Sequence, residues 1–248
     1  MVSLASRFVG PQRKGLAIGR RDLAGAAAAG MLVASLPGSA FANTRPPSGI
    51  IPFTVFRGGS EMGHHHTRFS VEDDALRVDI QIRLTATFAG ITVFRYTHDS
   101  VERWQDGRLV SIDTETYDDG REYRVRGHAD GDVFRILEGR DGPWEAPADI
   151  IPTSYWHIGC VRNERLLHTQ YGEPFVVSTQ RLGRESITAA GRTIAADRYR
   201  LTASLVVDVW YNPADQWAKL AFEARGAQVD YVLDAGDGSA STLATRSG

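Results

Sequence analysis

The chain lacks most of the signatures that announce a function. Its 248 residues include one cysteine, Cys160, which excludes an intramolecular disulfide and any paired-cysteine zinc site. No glycine-rich phosphate loop, dinucleotide fingerprint or H-E-x-x-H motif occurs. Sustained helical periodicity is missing outside the leader, and the leader's apolar run falls short of the ~20 residues that span a bilayer. Lysine stands at two positions, Lys14 and Lys219, and the net charge is only −2. Nucleic acid, whose phosphates call for a basic surface, is not an expected partner.

What is present begins with an address. Arg20-Arg21-Asp22-Leu23 follows Arg13 and Lys14, an Ala- and Gly-rich run extends from Ala24 to Leu36, and Ala40-Phe41-Ala42 forms a small-x-small cleavage site. The arginine pair resembles a twin-arginine (Tat) export signal, with Leu23 in place of the usual phenylalanine. That resemblance implies passage of a folded protein to the periplasm, cleavage after Ala42, and no stable membrane insertion afterwards. Loss of five basic and one acidic residue with residues 1–42 leaves 23 basic against 29 acidic, a net charge of −6. Anionic lipid surfaces would then repel the mature chain.

Residues 43–52, with Pro46-Pro47, read as a linker, 53–233 as one β domain, and 234–248 as a small, polar, disordered tail. Within the domain the clearest strand places Leu76, Val78, Ile80, Ile82 and Leu84 in strict alternation with Arg77, Asp79, Gln81, Arg83 and Thr85. A period of two means one packed face and one wet face. Strands are also expected over 53–57, 64–71, 91–104, 109–117, 121–126 and 133–137. Asp106-Gly107, Asp119-Gly120, Asp130-Gly131 and Asp141-Gly142 supply hairpin turns between them. Further strands are expected over 175–182, 185–188, 192–195, 198–211, 217–224 and 228–233. Pairing Tyr211 with Trp217 sets Val209 opposite Lys219, which gives a sheet apolar on both faces.

The alternation stops at Ala146-Pro147-Ala148-Asp149-Ile150-Ile151-Pro152-Thr153-Ser154-Tyr155-Trp156-His157. Two prolines withhold ladder donors, yet Ile150, Ile151, Tyr155 and Trp156 carry too much apolar area for a solvated loop. Residues 146–157 are therefore expected to be an ordered crossing between halves 53–145 and 158–233. It acts either as a plug packed on the sheet or as the wall of a ligand site.

This segment, with Gly63-His64, Phe88-Ala89-Gly90-Ile91, Glu102-Arg103-Trp104-Gln105-Asp106-Gly107-Arg108-Leu109, Arg198-Tyr199-Arg200-Leu201 and Leu220-Ala221-Phe222, resembles an uncharacterised bacterial family of exported β-rich proteins, classed as a domain of unknown function. The likeness covers roughly 53–233 and is most specific at Pro147-Ala148-Asp149 and Ser154-Tyr155-Trp156. It implies relatedness to periplasmic β-roll or barrel-like domains and supplies no reaction. The expected fold is all-β: a strongly curved antiparallel meander forming a β-roll or barrel-like sheet, with the proline-rich crossing in its middle.

The candidate chemistry is sparse. His64 and His66 share one strand face at ~7 Å spacing, which suits two ligands of a divalent metal but leaves a third ligand to be found. Asp149, Ser154 and His157 have the residue types of a hydrolytic triad without the G-x-S-x-G elbow. Asp208, stranded among Val206, Val207, Val209 and Trp210, needs Arg198, Arg200 or Lys219 as a partner, or a raised pKa. Tyr155, Trp156, Asp208 and Trp210 are the residues expected to line a site for a lipid or other apolar or amphipathic small molecule. The favoured function is a non-enzymatic periplasmic protein that binds such a molecule or assists envelope assembly. A metal-dependent or acid–base enzyme built on His64, His66 and Asp208, and a structural partner-binding module, are the alternatives. No cofactor is indicated beyond that metal.

Overall fold

The computed structural model describes residues 46, 49–89 and 91–235. The expected leader, most of the expected linker and the tail beyond 235 lie outside the described residues. Sixteen strands and a single 3-10 turn, Ile158–Val161, account for the regular structure among them. No helix there is long and apolar enough to cross a membrane.

A first meander runs through β1 (Ile50–Arg57), β2 (Ser60–Glu72), β3 (Ala75–Phe88), β4 (Ile91–Gln105), β5 (Arg108–Asp118), β6 (Arg121–Asp130), β7 (Val133–Glu138) and β8 (Trp144–Pro147). A second comprises β12 (Ser178–Ala189), β13 (Arg192–Thr202), β14 (Val206–Tyr211), β15 (Trp217–Ala224) and β16 (Ala227–Leu233). The two join through antiparallel pairing of β16 with β1, Phe53 opposite Leu233 and Arg57 opposite Val229. The product is one 13-stranded antiparallel sheet that stays open, with β12 at one edge and β8 at the other. The all-β class and the antiparallel meander are as expected; the strong curvature is not, and the sheet does not close.

Turn chemistry explains much of this order. Asp73-Asp74, Asp106-Gly107 and Asp119-Gly120 all adopt positive φ at both positions, the geometry of tight hairpin turns that match strand twist. Between them β3 buries Leu76, Val78, Ile80, Ile82 and Leu84, none more than 6% exposed. On the outer face the alternate positions form a ladder of ion pairs, among them Arg77–Asp79, Arg83–Asp99, Arg124–Glu115 and Arg135–Glu145.

Chain leaving one edge must reach the other, and it does so across the inner face. The crossing runs on to Val177 and carries β9 (Ile151–Pro152), β10 (Arg165–Leu167) and β11 (Pro174–Val176), a small three-stranded sheet with β10 central and parallel to β9. Ala146-Pro147 belong to β8 instead, where proline is tolerated because the strand is an edge. The crossing is a plug. Ile150, Trp156, Ile158, Cys160, Leu166 and Leu167 are buried in the same core as Phe53, Val78, Trp104, Ile112 and Leu220.

The second meander departs from expectation, first because 185–188 continues 178–182 as one strand, β12, and 192–195 runs on through 202 as β13. Second, the expected strand 198–211 is a hairpin, with β13 and β14 turning at Ala203-Ser204-Leu205 and Arg200 opposite Asp208. Partners in that register have the same parity, so the alternation of Tyr199, Leu201, Val207 and Val209 passes through the turn without a phase break. Third, a bulge beside Trp210 and Tyr211 shifts the pairing, so that Val209 faces Leu220 while Tyr211 still faces Trp217. Leu220 and Phe222 therefore join Val207 and Val209 in the main core.

The outer face of this half is covered by its own hairpin. Beyond a bulge at Gly183 (φ +117°), the far end of β12–β13 folds over β14, β15 and β16. Ala190 N–H donates to Leu233 O at 2.8 Å, and Ile187, Ala189, Ala196, Trp210, Ala218 and Ala221 form a second small core.

Candidate functional site

The interior of β4 does not look like the interior of a sheet. Phe94, Tyr96, His98, Ser100, Glu102 and Trp104 all point inward and all are buried, so an aromatic-lined face has a polar middle. Cross-strand register extends that middle sideways. His65 on β2, Ile82 on β3, His98 and Thr116 on β5 share one row, and Thr67, Ile80, Ser100 and Thr114 share the next. The crossing meets these rows with Thr153, Ser154, His168, Thr169 and Gln170, each no more than 7% exposed. A polar seam is thus sealed between sheet and plug.

Gly63 sets which histidine enters the seam. Its φ is +139°, and a Cβ there would lie 2.0 Å from Arg83 O, so only glycine fits. Past this irregularity His65, Thr67 and Phe69 face in, while His64 and His66 face out.

Several hydrogen bonds tie the seam together. Trp104 Nε1 and Trp156 Nε1 both donate to Glu102 Oε2 at 2.9 Å. Thr114 Oγ1 donates to Thr169 O at 2.8 Å, Tyr96 Oη to Gln170 Oε1 at 3.3 Å, and His98 Nδ1 pairs with Thr116 Oγ1 at 2.7 Å. Tyr211 Oη holds Tyr155 O at 2.7 Å, fixing a bulky residue at φ +65°. Rings close the flank: Trp217 lies 4.4 Å from Phe53 and 5.1 Å from His65.

Other polar atoms are left without partners. Seven buried side-chain atoms among the described residues make no hydrogen bond, and five of them lie in this seam: His65 Nδ1, Ser100 Oγ, Glu102 Oε1, Ser154 Oγ and His168 Nε2. Native proteins pair such groups almost everywhere, with protein, water or ligand. His168 is the most explicit. Its Nδ1 accepts from the backbone N–H of Gln170 (3.2 Å) and Tyr171 (3.3 Å), so the neutral ring carries its proton on Nε2, a donor with nothing to receive it. Ser154 Oγ stands beside the Glu102 carboxyl and helps to lower its pKa, so these two groups face each other.

Burial controls the charge states. It pushes His65 down to about 3 and holds His98 and His168 well below the ordinary histidine range, with neighbouring positive charge adding to the effect. His157, whose Nδ1 caps the 3-10 turn by accepting from Gly159 N, falls to about 4 through burial and then Arg162. The Glu102 carboxyl is raised by burial, partly offset by the two indole donors.

The sequence-derived candidates do not converge. Trp156 is wholly buried between Phe69 and Trp104, and Tyr155 packs against Trp217. Asp208 and Trp210 stand on the opposite, outer face. Asp208 is clamped by Arg198 (2.5 Å) and Arg200 (2.7 Å), and those guanidiniums, outweighing its burial, hold its carboxyl below the usual range. Trp210 Nε1 donates to Glu185, with Arg198 and Lys219 against its ring. Both residues therefore pin the folded-over hairpin rather than line a cavity with Tyr155 and Trp156. His64 and His66 stack at 5.7 Å, and no group of three or more His, Cys, Asp or Glu among the described residues is placed to hold a metal ion. Asp149 is exposed, Ser154 buried, and no hydrogen bond joins either to His157. Cys160 donates to Pro152 O, with its thiol pushed up to about 12 by burial.

The family model of a domain of unknown function, DUF6134, matches residues 53–234. The chain belongs to that family. The DUF6134 domain also resembles, in fold, the crystal structure of a beta-barrel-like protein of the domain of unknown function DUF1849 from Brucella abortus. That likeness has a TM-score of 0.54 at 5% identity, over 74% of this chain and 94% of that one. At such identity it speaks for architecture alone. No curated protein sequence matches the DUF6134 chain.

Proposed function

We propose that the protein is an exported, non-catalytic binding protein, and that the seam beneath the crossing is where it holds its ligand. The observation that carries this reading is the set of buried polar atoms without hydrogen-bond partners between sheet and crossing, His65 Nδ1, Ser100 Oγ and His168 Nε2 foremost. Leaving each such group unmet costs roughly 1–3 kcal/mol, so an evolved interior supplies something to meet them. An apolar or amphipathic guest suits the seam poorly, because the apolar interior is already filled by Trp156, Leu166, Leu167 and their neighbours.

A non-catalytic role is favoured because the histidines and the carboxyl of the seam are buried away from solvent, and the candidate groups outside it are engaged elsewhere. Asp208 is held by two arginines, His157 Nδ1 by a backbone amide, and the Cys160 thiol by Pro152 O. Partner binding by strand addition is disfavoured at both edges. Arg181, Arg184 and the Gly183 bulge interrupt β12, and β8 is four residues long with Pro147 at its end. The twin-arginine leader fits the same picture, since a protein that crosses a membrane already folded would carry an enclosed ligand with it.

Native mass spectrometry of protein isolated from the periplasm tests the reading. A stoichiometric small molecule released only on unfolding is the expected result. Recovery of the bare chain, or of a metal lost on replacing His64 and His66, would refute it. Separately, Arg20→Lys with Arg21→Lys should leave precursor in the cytoplasm.

A further inference from the structure

We propose that the outer face of the first meander carries a site for a small monocarboxylate, whose carboxylate is held by Arg103, Ser111 and His128. The site lies on the face of the sheet away from the crossing, so it stands or falls independently of the seam.

Register brings the three residues together. Arg103 on β4 pairs with Ser111 on β5, and Ser111 pairs with His128 on β6, so one row across neighbouring strands carries all three. Backbones in such a row stand ~4.8 Å apart, with directly opposed side chains on the same face. All three line one open groove of about 510 Å³. Ser111 is half-buried there, and the two longer side chains beside it are exposed.

Charge selects an anion. The other charged residues of the groove have partners: Arg77 meets Asp79 at 2.6 Å, Arg126 meets Asp113 at 3.3 Å, and Asp99 and Glu115 meet Arg83 and Arg124. Arg103 has only Glu72, at 3.5 Å, and Arg77 draws on the same carboxylate oxygen at 3.6 Å. No hydrogen bond or ion pair joins His128 to another described residue. A guanidinium fork takes both oxygens of one carboxylate, the Ser111 hydroxyl can donate to either, and His128 keeps a ring N–H donor even when neutral. A more highly charged anion suits the groove less, because Asp99, Asp113 and Glu115 line it too. Val101, two residues along β4 from Arg103 on the same face, and Leu137, 53% exposed, offer apolar contact to the body of the ligand.

The test titrates the full isotope-labelled chain with hexanoate, hexanol or inorganic phosphate and follows backbone amide NMR shifts. Hexanoate should move the Ser111, Gly127 and His128 amides saturably, with hexanol and phosphate weaker by roughly tenfold or more. Arg103→Gln should weaken hexanoate roughly tenfold, and His128→Gln about threefold. Glu72→Gln removes the competing carboxylate and should tighten hexanoate about two- to threefold, a gain that a damaged fold would not give. Tighter binding of phosphate would overturn the carboxylate assignment, and equal binding of hexanol would refute recognition of charge by Arg103. Shifts centred elsewhere, or no saturable shift, would overturn the site. The comparison among probes uses the wild-type chain and does not depend on the variants folding.

Discussion

Lowering the pH from 7.5 to 5.0 should weaken the fold sharply, and the buried histidines set the size of the effect. An unfolded histidine titrates near 6.5. His65 titrates at about 3 and His157 at about 4 in the folded chain, both depressed by burial. A depressed histidine pKa means that the unfolded state binds more protons below 6.5, so stability is lost as pH falls through that value. At pH 5.0 the loss is (6.5 − 5.0) × 1.36, or about 2 kcal/mol, for each of the two and about 4 kcal/mol together. His98 and His168 are depressed in the same direction and add to it. Glu102 opposes the trend, since a raised carboxyl pKa relieves the folded state as pH falls. Asp208, held low by Arg198 and Arg200, begins to matter only below about 3.8. Against a typical total of ~5–15 kcal/mol the histidine effect is large. Urea melts at the two pH values should show the midpoint falling at similar slope, and His65→Phe should recover about half of the 4 kcal/mol assigned to His65 and His157. Coincident midpoints at pH 7.5 and 5.0 would mean that these histidines are solvated, and the seam would not be closed as described.

Trp156→Ala should cost roughly 3–5 kcal/mol, because a wholly buried indole is lost along with one of the two donors to Glu102. A urea midpoint equal to wild type would make the crossing a loose cover. Glu102→Gln should change stability by less than about 1 kcal/mol, since the amide oxygen can take both indoles and its N–H can reach Ser154. Glu102→Ala should cost roughly 2–5 kcal/mol by orphaning both indole donors. Equal losses for the two substitutions would remove the indole pair from the account. Gly63→Ala should fail to yield soluble protein, or melt far below wild type, given the 2.0 Å approach to Arg83 O. A variant that folds normally would show that the β2 irregularity is not what selects His65.

Much of the sheet was legible because its signals are local. The alternation of β3 and the Asp-Gly turns specify hairpins within a few residues of chain, and the Tyr211–Trp217 pairing follows from the Asn212–Gln216 turn. Non-local features were harder. The turn at 203–205 has neither glycine nor proline, and its register preserves parity, so hydrophobic periodicity cannot reveal it. The 159–171 stretch shows no strand pattern because it holds only a 3-10 turn and the three-residue β10, and otherwise packs as irregular chain against an existing surface. Of the three adjacent histidines, the outward pair drew notice for its spacing, whereas His65 is selected by a backbone irregularity. One signal for the seam was available: even positions from Phe94 to Trp104 lie on one face, and three of them, His98, Ser100 and Glu102, are polar. Whether such a run faces water or a covering segment is decided only by what crosses it.

The seam also accounts for how the crossing finds one position. An inner face made only of Val, Ile and Leu would accept an apolar strap at several offsets with similar energy, since dispersion and burial are non-directional. Directional partners remove that freedom. Trp156 can donate to Glu102 only when Ser154 lies beside it, and Thr169 O meets Thr114 only when Gln170 lies beside Tyr96 and Asp118. Tyr211 Oη then captures Tyr155 O from the second meander. Two strands of the first meander and one of the second thus hold the same segment by hydrogen bonds of fixed direction. Sliding by one residue would break all of them together, which makes the docked crossing a single state.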